Sequence, residues 1–278
     1  MIRAEGTTAS THRSAGAVRS PSLVAALPRR DRIIIATCIT LVCVLAWAYL
    51  VHLHRQMSSL ATAETSMMEM GMRMDAPWRV ADVFLTFAMW AVMMVGMMSA
   101  AAAPVLLLFA ATRARREERG VPPAVLMFGL GYVTVWMAFS LCATVTQWAL
   151  HRAALLSPAM AVASPRFAGA LLVAAGVYQL TPLKRACLTH CQTPLGFLMS
   201  HWRDGAGGAF QMGLRHGVYC LGCCWVLMGV LFAVGVMNLA WVAVLTAFIL
   251  VERMGESGAR MARVGGVLLV GIGVLFFI

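Results

Sequence analysis

Residues 217–251 read GVYCLGCCWVLMGVLFAVGVMNLAWVAVLTAFILV, a run without a charged side chain. A membrane-spanning helix needs about 20 apolar residues, so this run is longer than one crossing requires. It predicts two short transmembrane helices joined by a tight turn near Asn238. The same run contains three of the chain's cysteines, so its role is chemical as well as structural.

The composition of the whole chain points to the same class. Hydrophobic residues make up 61% and charged residues 12% of it, with a mean hydropathy of +0.81, which is too apolar for a soluble globular domain. The net charge of +11 would suit nucleic acid in a soluble protein. Here the basic residues lie between apolar runs, where they orient membrane helices. We therefore expect a lipid bilayer as partner and no nucleic acid.

Apolar runs along the rest of the chain predict an all-α, polytopic transmembrane bundle of about six to seven spans. Residues 184–215 are a mixed stretch with no room for a further span. Polar Gln147 and Gln179 lie within spans and predict contacts between helices. The spans are placed at 33–52, within 83–111, at 124–150, at about 167–183, twice in 217–251 and in a short Gly-rich C-terminal segment.

The positive-inside rule predicts the side on which each loop lies. With the N-terminus in the cytoplasm, most of the 22 basic residues fall on the cytoplasmic side of a bacterial inner membrane. Residues 1–32 are predicted to be a disordered, basic cytoplasmic tail, and residues 33–278 the transmembrane helical domain. The loop that follows the fourth span is then in a reducing compartment, where stable disulfides are uncommon.

Five of the eight cysteines flank that cytoplasmic loop. Cys187 and Cys191 follow the fourth span, and Cys220, Cys223 and Cys224 are expected at the start of the fifth. Cysteines used only for packing are usually solitary, as the other three are within their spans. Two groups on either side of one loop favour a shared site instead.

Helical geometry places the members of each group on one face. At about 100° per residue, His216 falls in the same stripe as the three cysteines that follow it. Cys187, His190 and Cys191 share a face if the fourth span continues as a helix. Thiolate and imidazole ligands are typical of Zn(II), and thiolates also favour Cu(I) and iron–sulfur clusters. We interpret the two faces as a metal site, with Cu(I) favoured and Zn(II) as the alternative.

Methionines form a second candidate site. The segment SMMEMGMRMD, residues 66–75, is predicted to be an outer loop, where thioethers bind Cu(I) and do not form disulfides. An amphipathic or disordered connector is the alternative. Met89, Met93 and Met97 form a stripe in the second span, which packing explains more often than a metal path does. The candidate ligands in the loop are Met68, Met70, Met72 and Met74.

Three segments carry a resemblance to a known family: MWAVMMVGMMSAAAAPVLLL (89–108), YQLTPLKRACLTHCQTPLGFL (178–198) and HGVYCLGCCWVLM (216–228). They closely resemble a bacterial family of predicted metal-binding integral membrane proteins, built on a domain of unknown function. The resemblance covers residues 80–255 and implies a polytopic inner-membrane protein with a metal site. Residues 66–75 lie outside it. The ligands that it implies are Cys187, Cys191, Cys220, Cys223 and Cys224.

The leading functional hypothesis is copper handling by transport, delivery or assembly, with binding expected rather than catalysis. The expected partner is a metallochaperone or a larger membrane complex. The chain has no glycine-rich nucleotide-binding loop that would indicate ATP-driven transport. Two alternatives stay open: a membrane thiol oxidoreductase that uses Cys220 and Cys223 as a redox pair, and a structural subunit whose helix ends are held by zinc.

Overall fold

The computed structural model describes residues 27–69, 78–116, 120–153, 155–156, 162–254 and 257–277, with side chains in the first range described as far as residue 57. Apart from one isolated bridge between Leu156 and Val162, the regular structure in these ranges is helical, so the all-α prediction is confirmed. The helices are α1 (Arg29–Glu69), α2 (Val80–Arg115), α3 (Val121–Arg152), α4 (Pro165–Leu180), α5 (Pro182–Gln192), α6 (Pro194–His201), α7 (Gly205–Val234), α8 (Leu239–Met254) and α9 (Gly258–Leu275).

Five helices are long and apolar enough to cross a membrane: α1 through its Arg29–Met57 part, α2, α3, α7 and α9. The pair α4 and α5 passes the same test if the two are taken as one bent span, which gives a sixth. Helix α8 has only 16 residues. The six to seven predicted spans therefore agree in part with the structure. Helix α1 already begins at Arg29, within the range predicted to be a tail. Residues 1–26 lie outside the described residues, so the tail stays a prediction.

The fourth predicted span does not continue straight through the first cysteine pair. Helix α4 ends at Leu180, and α5 leaves it at an angle of 64°. Pro182 has no N–H to continue the α4 hydrogen bonds, and Thr181 begins a new helix by accepting a hydrogen bond from the Lys184 amide at 3.3 Å. Cys187, His190 and Cys191 therefore lie on the short helix α5.

The mixed stretch at 184–215 is more helical than its sequence suggests. It contains α5, α6 and the first part of α7, which begins at Gly205. The cysteines of α7 therefore lie near the middle of a 30-residue helix, not at its start. Close packing against α3 explains the extra turns: a Cβ on Gly213 would clash with the Phe128 carbonyl oxygen, and one on Gly131 with that of Phe210. Only glycine permits this approach of two helix backbones.

Two further predictions about the bundle are confirmed. The turn predicted near Asn238 lies between α7 and α8 at residues 235–238, where the Asn238 amide donates to the Gly235 carbonyl at 3.0 Å. Of the two helices that it joins, only α7 is long and apolar enough to cross a membrane. The two polar residues within spans join helices as expected. Trp90 of α2 donates through Nε1 to Gln147 Oε1 of α3 at 2.7 Å, and Gln179 of α4 donates to Glu252 of α8 at 3.1 Å.

Candidate metal centre

One face of α7 carries the predicted ligands into the core. The side chains of His216, Cys220, Cys223 and Cys224 are all buried, with 2%, 0%, 1% and 1% of their surface exposed. This burial agrees with the predicted common stripe. Residues on the opposite face, such as Val218, are largely exposed. The helix therefore has an apolar outer surface and a sulfur-rich inner one.

Helix α5 brings the other two cysteines against this face. The side chain of Cys191 lies beside that of Cys223. Cys187 lies against Gly222, whose missing side chain leaves room for it, because a Cβ there would be 2.8 Å from the Cys187 Sγ. Tyr178 donates its hydroxyl hydrogen to the Gly222 carbonyl in the same contact. The two cysteine groups thus meet, as their spacing predicted.

Four of the thiols form a continuous row. Contacts between side chains run from Cys191 to Cys223, from Cys223 to Cys224 and from Cys224 to Cys220. At the far end, the Tyr132 hydroxyl lies 2.9 Å from the Cys220 Sγ. All eight cysteines of the chain are free thiols. Among the residues that the structure describes, no three His, Cys, Asp or Glu side chains are already arranged to hold a metal ion.

A buried arginine completes the thiol cluster. Arg253, at the end of α8, donates through Nη2 to the Cys223 Sγ at 3.1 Å, to the Cys224 Sγ at 3.6 Å and to the Cys220 carbonyl at 3.1 Å. In the described part of the chain, no carboxylate lies within ion-pair distance of its guanidinium. A buried cation needs a compensating anion, and the groups that face this one are thiols, whose deprotonated form binds metals.

The carboxylate of Glu252, the residue before Arg253, already forms an ion pair. Both carboxylate oxygens of Glu252 accept from the Lys184 Nζ at 2.8 Å, and both side chains are almost completely buried. Gln179 donates to the same carboxylate, and Gln192 donates to the Glu252 backbone carbonyl at 2.7 Å. This ion pair fixes α5 against α8. The remaining acceptors for Arg253 are therefore the thiols and the Cys220 carbonyl.

The methionine stripe of α2 packs in the same core. Met89, Met93 and Met97 are buried, and they belong to one hydrophobic cluster with the three cysteines of α7. The stripe is thus part of the packing around the thiols. Helix α1 continues to Glu69, so residues 66–69 of the predicted loop are helical instead. The side chains of Met68, Met70, Met72 and Met74 lie outside the described residues, so the methionine site stays a prediction.

The structure does not bring the two predicted histidines to the same place. The ring of His190 stacks on Tyr219 with 4.3 Å between centroids, and its Nδ1 contacts the Ala186 carbonyl at 2.9 Å. The ring of His216 lies among Phe128, Tyr132 and Phe197. Of the two histidines, His216 lies with the thiols on the inner face of α7, whereas His190 lies on α5.

The fold and this cluster define a helical protein with several membrane-length apolar helices and a buried set of soft ligands. A family model described as copper chaperone, PpoB2, matches residues 87–276. Since the match covers well over half of the chain, the protein belongs to this family of copper chaperones. The matched range contains the whole thiol cluster with Arg253, and it excludes residues 66–75. No curated protein and no solved structure matches the chain.

Proposed function

We propose that the protein is a copper chaperone of the bacterial inner membrane that binds Cu(I) in the thiol cluster between α5, α7 and α8. The contact of Arg253 with the thiols carries this proposal. Cu(I) held by two thiolates has a single net negative charge, and one guanidinium neutralises it. Burial of the complex then leaves no uncompensated charge, which would otherwise cost several kcal/mol.

The same charge balance favours Cu(I) over Zn(II). Structural Zn(II) sites take four ligands in a tetrahedron. Four thiolates around Zn(II) would carry two negative charges, of which Arg253 cancels one. The paired contacts of the thiols, and the lack among the described residues of a ready group of three ligands, suit a two-coordinate ion better. Cys223, which contacts Cys191, Cys224 and Arg253, is the proposed central ligand.

Burial also favours metal binding over thiol redox catalysis. Redox-active cysteines are partly exposed so that a partner reaches them, whereas Cys220 and Cys223 are 0% and 1% exposed. A quinone or haem would not approach these sulfur atoms without opening the bundle. A metal ion passes through a far narrower opening.

Placement in a membrane is supported by the outer surface of the helices. Large apolar side chains are exposed on several of them, among them Leu45 of α1, Phe84 of α2, Leu126 of α3 and Val267 of α9. Soluble monomers rarely expose so much contiguous apolar surface. A bilayer would cover it.

Copper binding by the purified protein in detergent tests the proposal. Competition with a chromogenic Cu(I) chelator should give about one Cu(I) per chain, and Cys223→Ser should lower the affinity by roughly 100-fold, or about 2.7 kcal/mol. Cys142→Ser is the matched control, because this thiol is exposed on α3 and far from the cluster in sequence; it should bind as the wild type does. A wild-type protein that binds no Cu(I), or that prefers Zn(II) at the same cysteines, would overturn the proposal.

A further inference from the structure

A cavity of about 220 Å³ lies beside the thiol cluster. Cys191, His216 and Arg253 form part of its wall, and Ala100 and Pro104 of α2 form another part. The other cysteines of the cluster do not line it. Since a liquid water molecule occupies about 30 Å³, the cavity has room for a partly hydrated ion or for a small ligand that carries one.

His216, one of the residues that line this cavity, has a ring nitrogen without a hydrogen-bond partner. The side chain is 2% exposed, and its Nδ1 has no hydrogen-bond partner. A buried polar atom without a partner costs about 1–3 kcal/mol and needs an explanation. The surrounding rings of Phe128, Tyr132 and Phe197 offer it none. The nitrogen of a neutral imidazole is a good metal ligand, so an ion in the cavity would satisfy it.

Cys191 connects the cavity with the buried thiols. It is only half-buried, it lines the cavity, and its thiol contacts that of Cys223. An ion bound to Cys191 is therefore one ligand exchange away from the interior of the cluster. Along this route it stays bound to sulfur at each step.

We propose that the cavity is the access route of the metal, and that Cys191 and His216 hold Cu(I) there before it passes to Cys223. This inference rests on the proposed copper binding by the cluster. In the transfer, the bond from Cu(I) to the His216 nitrogen breaks as a bond to the Cys223 thiolate forms, while the bond to the Cys191 sulfur persists. Copper stays Cu(I) and no electron moves, while each thiol that becomes a ligand releases its proton to water through the cavity.

Loading kinetics separate this route from simple binding. The probe is Cu(I) supplied as a glutathione complex to the detergent-solubilised protein, and the rate is read from the ultraviolet absorbance of the copper–thiolate bond. His216→Ala should slow loading about tenfold, while the equilibrium affinity for Cu(I) changes by less than about threefold. His190→Ala is the control, because this ring stacks on Tyr219 and does not line the cavity. It should load at the wild-type rate.

A second variant tests the route without touching a ligand. Ala100→Leu narrows the cavity from the α2 side and should also slow loading with little change in affinity, provided that its thermal stability matches the wild type. An unchanged loading rate in both variants would overturn the inference. So would a loss of equilibrium affinity in His216→Ala as large as that in Cys223→Ser, because His216 would then be a permanent ligand. Failure of the wild type to bind Cu(I) at all would instead overturn the proposed function.

Discussion

At the scale of single residues, charge explains why Arg253 lies where it does. A guanidinium taken out of water costs several kcal/mol unless an anion compensates it. The adjacent carboxylate of Glu252 is bound to Lys184 through both oxygens, so the thiols provide the remaining partners. In a copper-loaded cluster the arginine becomes the counter-ion of the copper–thiolate complex.

Removing this charge should weaken copper binding without removing a ligand. We expect Arg253→Met to lower the Cu(I) affinity by about 10- to 100-fold, as measured by chelator competition, because the buried complex keeps an uncompensated negative charge. Arg253→Lys should retain more affinity, since it keeps the charge but not the forked donors. Arg260→Met is a suitable control, because this arginine is exposed on α9 and bonded to Ser257. Wild-type affinity in Arg253→Met would contradict the role of a counter-ion.

The cysteines could be predicted from the sequence, but this arginine could not. The spacing of Cys220, Cys223 and Cys224 places them on one helical stripe by geometry alone. Arg253 and Glu252 follow an apolar run, where charged residues ordinarily mark a loop at the membrane surface. The burial of Glu252 depends on Lys184, and that of Arg253 on the cysteines of α7, all of which are far away in the chain. The one available signal was that Lys184 is the only lysine in the sequence, and it does not identify a partner.

At the scale of helices, the start of α7 shows why local propensity was misleading. Residues 205–208 contain three glycines, which weaken an isolated helix by about 1 kcal/mol each relative to alanine. The sequence therefore suggested a loop. In the fold, glycines let α7 and α3 approach until their backbones touch at Gly131 and Gly213, and this packing extends the helix by several turns. Only the partner helix reveals the reason for Gly213, whereas a Cβ on Gly205 or Gly207 would meet no atom within 4 Å.

Two glycines of α7 provide a matched test of this contact. Gly213→Ala would place a methyl group on the Phe128 carbonyl, so we expect a loss of about 1–3 kcal/mol of stability from overpacking. Gly229→Ala in the same helix meets no atom within 4 Å. It should be neutral or stabilising by about 0.5–1 kcal/mol. Thermal unfolding in detergent measures both, and equal melting temperatures would contradict the close crossing of α3 and α7.

At the scale of the whole molecule, the α7–α8 hairpin sets the depth of the thiol cluster. Helix α7 has 30 residues, or about 45 Å at 1.5 Å per residue, which exceeds the roughly 30 Å of bilayer hydrocarbon. The chain turns at residues 235–238 and returns along α8 until Arg253 meets the Cys220 carbonyl. The cluster therefore lies about 20 Å along either helix from this turn. In the proposed membrane placement it would be nearer to the opposite membrane surface, which the positive-inside rule predicts to be the cytoplasmic one.

Labelling from the two sides of the membrane tests this orientation. The background would carry serine in place of Cys38, Cys43 and Cys142, since the remaining thiols lie in or beside the buried cluster. Ala240→Cys, exposed just after the turn, should react with a membrane-impermeant maleimide in spheroplasts. Gly207→Cys, which meets no atom within 4 Å at the start of α7, should react only after permeabilisation, because it lies on the cytoplasmic side. The reverse labelling pattern would mean that the cluster lies nearer to the periplasmic surface, and copper would then be taken up from that side.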